Sequence, residues 1–395
     1  MADSAAPQQL KLPPDWSNPQ IGAPCHSWDK PFRLPKSAER PQRHSVHLLV
    51  LSSCATHARL ANLTCSRLSC TVYLDDPRCT LAVRQLLARK AVLPAAYVGP
   101  LVVPPGEYID ERMAGPIQCC DPNEEHREDT DLVPSRPVHM TFGPTQFFCD
   151  AHRKATLRSQ YRFLPALAHA RAKHTRAFRS GALEWLVLVD DDAIVSMSRL
   201  LKFLSGYNHS MPLHMGDFIF AKCDGMDGGH SHWTRMFACG GAGTTLSAAA
   251  VLSMDFDACH RAYQRSCLQS DWMISGCAAM HQVIGVPAAG CNACVGEPED
   301  LMRSILNPNG CLSAQYQGSL SDTVNQLMES QQVHHMLNKS HASSGLLNSN
   351  LKATVKRLLL ERPAIVHLAA DDHASPAAEL AKAKAILDAN DIALR

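Results

Sequence analysis

Three consecutive acids, Asp190-Asp191-Asp192, follow directly on Trp185-Leu186-Val187-Leu188-Val189, a run that is apolar at every position. Such a run reads as a central strand covered on both faces, so the carboxylates fall at its carboxyl end. An ionised acid taken out of water there needs a cation, because leaving it unpaired costs many kcal/mol. Hard oxygen ligands suit octahedral Mn²⁺ or Mg²⁺, which also bridges phosphates, and the ligands of open α/β sheets collect outside the carboxyl ends of strands. Alternation along a strand directs Asp190 and Asp192 to one side and Asp191 to the other. A polar turn closing a strand accounts for the same three residues.

Further along, Phe237-Ala238-Cys239-Gly240-Gly241-Ala242-Gly243-Thr244-Thr245-Leu246-Ser247 leads into an Ala-rich stretch. Gly240, Gly241 and Gly243 let a backbone come close to a ligand, and Ser247 is placed to cap the following helix. The segment lacks the Gly-Lys-Ser of a phosphate loop and the spacing of a dinucleotide fingerprint, so a tight structural turn is the alternative. In Ser270-Asp271-Trp272-Met273 an acid opens a helix, whose dipole favours its ionised form; taken alone it reads as a simple cap. Cys291-Asn292-Ala293-Cys294 has the spacing of a zinc half-site, but no second such pair exists. Disulfides or free thiols fit these cysteines better. His230-Ser231-His232 sits in a Gly-rich loop, either touching substrate or simply exposed.

These residues need elements to hold them. Residues 1–44 contain eight prolines and no periodic apolar pattern, the composition of an extended, poorly ordered stem. From Ser45 the character changes: Val46–Leu51 reads as a buried strand, a helix-compatible stretch follows, and Thr71–Leu74 reads as a second strand, so the chain opens as a βαβ unit. Residues 94–149, rich in proline and acids, read as a long irregular insertion. A basic helix is expected from about Ala151 to Phe178, with Leu157, Tyr161, Leu164 and Leu167 as its buried stripe and its cations on a solvated face. Further strands are expected at 218–221 and 236–238, and helices at about 247–263 and 271–283. A terminal helix is expected from Ser375, with Pro376 in its first turn. Residues 288–350 form an insertion without a clear pattern.

The 395 residues suffice for a full-sized core. With 38 Lys and Arg against 37 Asp and Glu, the chain has no global field to draw nucleic acid. Sixteen cysteines and three N-glycosylation sequons, at Asn62, Asn208 and Asn338, lean toward an oxidising compartment. No apolar run is long enough to cross a membrane, and the first 44 residues show no signal peptide.

Taken in order, WLVLVDDDAIVSMSRLLKFLSGYN (185–208), FACGGAGTTLS (237–247) and SDWMISGCAAMHQVIGVP (270–287) resemble the fringe-like branch of the β1,3-glycosyltransferases. Cys259, Arg261 and Tyr263, followed by Ser270-Asp271 and Cys277, are similar to the plant fringe-related group. The resemblance implies a GT-A-like α/β domain, a Rossmann-like mixed sheet flanked by helices, over residues 45–370, with insertions at 94–149 and 288–350 and a helix at 371–395. It implies inverting transfer of a hexose or N-acetylhexosamine from a UDP-sugar to a glycan or glycoprotein, in the lumen of the Golgi or secretory pathway, with Mn²⁺ or Mg²⁺. Asp192 then binds metal, Asp190 and Asp191 face the nucleotide or support the metal shell, Gly240, Gly241 and Gly243 border the donor, and Asp271 is the base. The family carries two acids where this chain has Asp271-Trp272, and a Phe-His pair after Gly285-Val286-Pro287 that this chain lacks. Arg362-Pro363-Ala364-Ile365-Val366-His367 resembles a later family segment, which makes His367 the candidate for the third metal ligand, with a structural histidine as the alternative. A catalytically silent glycan-binding or chaperone-like relative is the other reading of the whole chain. Cys259 and Cys277 flank the acidic motif on segments that must pack together, and are expected to bond.

Overall fold

A computed structural model describes residues 45–54, 56–62, 69–74, 79–88, 96–98, 163–220, 236–241, 243–263, 270–286, 290–291, 293, 298–307, 310–316, 320–341, 351–367 and 392–393. The stem, most of 94–149 and His230-Ser231-His232 lie outside them.

The principal sheet contains β1 (Val46–Ser52), β2 (Ser69–Leu74), β3 (Ala96–Val98), β4 (Trp185–Asp190), β6 (Leu213–Gly216), β9 (Thr244–Ser247) and β10 (Ile284–Val286). Their spatial order is β10-β6-β9-β4-β1-β2-β3. The strands from β4 to β3 are parallel, whereas β9 runs antiparallel to both β4 and β6. The sheet is therefore mixed, and β3 sets a regular strand inside the stretch expected to be irregular.

β1 is buried at every residue, and all but the last residue of β4 are buried too, as expected for strands covered on both faces. On one face Leu49, Leu51, Leu186 and Leu188 pack with the helices Phe163–Arg179, Ala248–Ser253, Phe256–Tyr263 and Ser270–Met280. On the other, Val46, Leu48, Val50, Val187 and Val189 meet the helix Met197–Leu204 and the residues Leu312 and Ile365 of a second sheet. The described part of the basic helix is Phe163–Arg179, with Leu164 and Leu167 buried as the stripe requires; Leu157 and Tyr161 lie outside the described residues. One of its cations is not on a solvated face: Arg171 donates to Met254 O at 2.6 Å and Leu252 O at 3.2 Å, satisfying carbonyls at the end of the helix Ala248–Ser253. That helix is capped by Ser247, whose side chain accepts from Ala250 N.

The second sheet runs β11-β12-β5-β13, with β5 at Ala193–Val195, β11 at Cys311–Gln315, β12 at Pro363–His367 and β13 at Ile392–Ala393. Helices Pro298–Leu306, Leu320–Glu329, Gln331–His341 and Leu351–Glu361 close a third core around Ile194, Ala314, Tyr316 and Val366. Residues 288–350 thus supply much of the layer that covers this sheet. The expected terminal helix lies outside the described residues except at Ile392–Ala393, and there the chain is a strand paired with β5. A third, small sheet pairs β7 (Phe218–Phe220) with β8 (Met236–Ala238).

Candidate active site

β1 and β4 run side by side in register from Val46 opposite Trp185 to Leu51 opposite Asp190, so their carboxyl ends bring polar residues together. β4 stops at Asp190, and the chain turns through Asp191 and Asp192 into β5. The expected strand alternation therefore does not govern the last two acids. Asp191 is only 3% exposed, and its carboxylate accepts from Ser52 Oγ at 2.6 Å, Thr56 Oγ1 at 2.5 Å and Arg59 Nη1 at 3.2 Å. Burial pushes the Asp191 carboxyl above its ordinary value, while the hydrogen bonds from Ser52 and Thr56 oppose that rise. With its oxygens so occupied, Asp191 braces the turn behind Asp192.

Asp192 is the more accessible acid. Its Oδ2 accepts from the same Arg59 Nη1 at 3.0 Å, and its Oδ1 lies 3.2 Å from His367 Nε2. Two strand pairings bring His367 there: β12 is antiparallel to β5, with His367 opposite Ala193, and parallel to β11, with Gln315 beside His367. The 3.2 Å separation suits two neighbouring ligands of one octahedral cation, since bonds of about 2.1 Å at a right angle set ligand atoms about 3 Å apart. A carboxylate oxygen and an imidazole nitrogen are also a donor set that Mn²⁺ accepts. The residues present fit such an ion. Arg59 supplies the positive charge that the paired acids require.

The glycine segment crosses over the end of β4 as a tight turn, with Gly243 N donating to Gly240 O at 2.9 Å. Gly243 has φ +80°, and a Cβ there would lie 2.5 Å from Leu188 O. At Gly241 the approach is to side chains: a Cβ would lie 2.9 Å from both Gln315 Oε1 and His367 Nδ1. Gly241 N donates to Gln315 Oε1 at 3.0 Å, and Gly240 N donates to Asp271 Oδ2 at 3.1 Å. Asp271 sits in the first turn of Ser270–Met280 and ties that helix to the glycine turn. The result is a continuous polar arc: Asp271, Gly240, Gly241, Gln315, His367, Asp192, Arg59, Asp191. Asp190, half-buried, closes β4 beneath it.

Ser52, Thr56, Arg59 and Gln315 carry no sequence spacing that announces them; only strand register brings them to the arc. The helix bearing Asp271 is anchored by Cys259–Cys277, whose Cα atoms are 5.4 Å apart, as expected. Cys291 bonds Cys311, which removes it from any CxxC metal half-site, and Cys54 bonds Cys79 near Thr56 in the chain.

Acids at the carboxyl ends of a mixed parallel and antiparallel sheet flanked by helices are consistent with a GT-A-like fold. A family model described as Fringe-like matches residues 146–287, the stretch that holds the three acids, the glycine turn and Asp271. The match supports a fringe-like glycosyltransferase family, which implies glycosyltransferase activity in general. No curated protein matches the chain. Arg59, Gln315 and His367 lie outside the matched stretch.

Proposed function

We propose that the chain is an inverting glycosyltransferase that moves a hexose or N-acetylhexosamine from a UDP-sugar to a hydroxyl of a glycan or glycoprotein, with Mn²⁺ or Mg²⁺. The observation that carries this reading is the polar arc: Asp192 and His367, 3.2 Å apart, stand at one end, and Asp271 stands across the glycine turn at the other. Asp192 and His367 would hold the ion, which neutralises charge developing on the leaving diphosphate. Asp191, braced by Ser52 and Thr56, keeps the turn that carries Asp192 in place. Asp271 takes the acceptor's proton: the acceptor oxygen attacks the anomeric carbon from the face opposite the leaving group, and the bond to UDP breaks with its electron pair leaving on the diphosphate. Gly240 N donates to the Asp271 carboxylate and keeps it aimed.

The alternative, a silent glycan-binding relative, rests on the absent Phe-His pair. The position of His367 beside Asp192 favours the active reading. The disulfides support folding in an oxidising, secretory compartment, and no helix among the described residues is long and apolar enough to cross a membrane. The test is UDP release from a panel of UDP-sugars with an acceptor glycan, with and without Mn²⁺. Release from at least one donor, dependent on the ion, is expected. No release from any donor, together with no Mn²⁺-dependent UDP binding, would overturn the proposal.

A further inference from the structure

Gln315 occupies the middle of the polar arc. It ends β11 beside His367 on β12, and its main chain is held from behind by Asp217, fully buried, whose Oδ2 accepts from Gln315 N at 3.4 Å and from Ala293 N at 3.1 Å. Its side chain is fixed from the front, because Oε1 accepts from Gly241 N at 3.0 Å. An amide anchored by its oxygen has its nitrogen oriented as well, and that nitrogen carries two N–H donors. Among the described residues nothing accepts from Nε2, and the residue is half-buried rather than sealed in the core.

The order of the arc says what such a donor meets. In the displacement proposed above, on which this inference rests, the diphosphate lies at the Asp192 and His367 end and the acceptor hydroxyl at Asp271. The transferred sugar must lie between them, and so does Gln315. We infer that the Gln315 amide donates to a hydroxyl of the transferred sugar and so selects among UDP-sugars. A site that hydrogen-bonds a particular hydroxyl discriminates against donors lacking it, because a positioned polar group is then left without its partner. The nucleotide itself is bound elsewhere on the arc and is indifferent to this contact.

The experiment compares kcat/KM for the best UDP-sugar and for its singly deoxygenated analogues, in the full chain and in Gln315→Glu and Gln315→Met, with Mn²⁺-dependent UDP affinity measured alongside. Glu keeps the acceptor for Gly241 N and removes both donors; Met removes the donors without adding charge. The parent should lose about tenfold on one deoxy donor, the scale of a single net hydrogen bond. Both variants should lose about tenfold on the complete sugar and stop distinguishing that deoxy donor, the non-additivity that marks a direct contact. UDP affinity should stay within about twofold, which also reports that the variants fold. A uniform loss on every donor would make Gln315 a support for Gly241 only, and unchanged selectivity would likewise overturn the inference. A parent that neither transfers any sugar nor binds UDP with Mn²⁺ would overturn the proposed function along with it.

Discussion

Asp271 is the residue at which a catalytic and a merely structural role predict different numbers. Replacement by Asn keeps an oxygen to accept from Gly240 N, now 3.1 Å from the carboxylate, so the glycine turn should hold. Asn cannot take a proton, and a positioned base is worth roughly 10²- to 10⁴-fold in rate, or about 3 to 5.5 kcal/mol of barrier. Turnover of Asp271→Asn should fall by that factor while Mn²⁺-dependent UDP binding stays close to the parent; a variant keeping more than about a tenth of parental turnover moves the base elsewhere. Gly241→Ala tests the other end of the arc. Its Cβ would lie 2.9 Å from His367 Nδ1 and Gln315 Oε1, so these side chains must give way and the imidazole's placement beside Asp192 is disturbed. Displacing a group that orients a ligand costs about 10- to 100-fold in metal affinity. Calorimetry of Mn²⁺ binding in the presence of UDP should register that loss, and an unchanged affinity would separate His367 from the metal.

Among the elements, the glycine turn and the helix behind it carry the site's precision. Gly243 adopts φ +80°, and an added Cβ would lie 2.5 Å from Leu188 O, a main-chain atom of β4 that has no room to yield. Gly243→Ala should therefore cost roughly 2 to 3 kcal/mol through backbone strain and collision together, visible as a lower urea midpoint. A midpoint equal to the parent's would mean that the turn is not held against β4. The helix Ser270–Met280 is joined to Phe256–Tyr263 by Cys259–Cys277, both residues 0% exposed. Replacing the pair by alanine should remove about 3 kcal/mol, the value for a loop of that length, in denaturant unfolding followed by fluorescence. The strand carrying the three acids was legible from its apolar run, and the cap at Ser247 from residue type. β9 was not: its Thr244–Ser247 continues the glycine segment, and only its pairing between β4 and β6 makes it a strand.

The whole molecule also buries histidines that are not members of the arc. His47 on β1 hydrogen-bonds Ser69 Oγ at 2.6 Å and Thr71 Oγ1 at 3.1 Å and lies against the His174 ring, with centroids 4.2 Å apart. Burial, with help from His174 and Lys173, lowers His47 to about 3. Burial alone lowers His214 to about 3. A histidine whose folded value is depressed binds its proton more readily in the unfolded chain, so its contribution is complete above about pH 6.5 and is lost as pH falls from there toward 3. Between about pH 6.5 and 5 each such group should cost about 2 kcal/mol of stability. Denaturant unfolding at about pH 7.5 and 5 should show the decline, and His47→Asn should flatten its own share of it. Equal slopes in parent and variant would mean that His47 is open to solvent in solution.

How much was legible follows from distance along the chain. Asp190–Asp192, Gly240–Gly243 and Asp271 announce themselves by local pattern: acids after an apolar run, a cluster of glycines ahead of a helix, an acid opening a helix. The mixed α/β character is legible for the same reason, since burial on both faces leaves a continuous apolar strand in the sequence. The partners those residues meet are set by register between strands far apart in the chain. His367 reaches Asp192 because β12 pairs with β5, and Gln315 reaches Gly241 because β11 pairs with β12. Arg59, Ser52 and Thr56 reach Asp191 because β1 and β4 end together. Strand pairing is satisfied by backbone hydrogen bonds that every residue type but proline offers in full, so residue type does not say which strands pair. Local composition therefore determined which groups are suited to chemistry, and only tertiary pairing decided which of them meet one another.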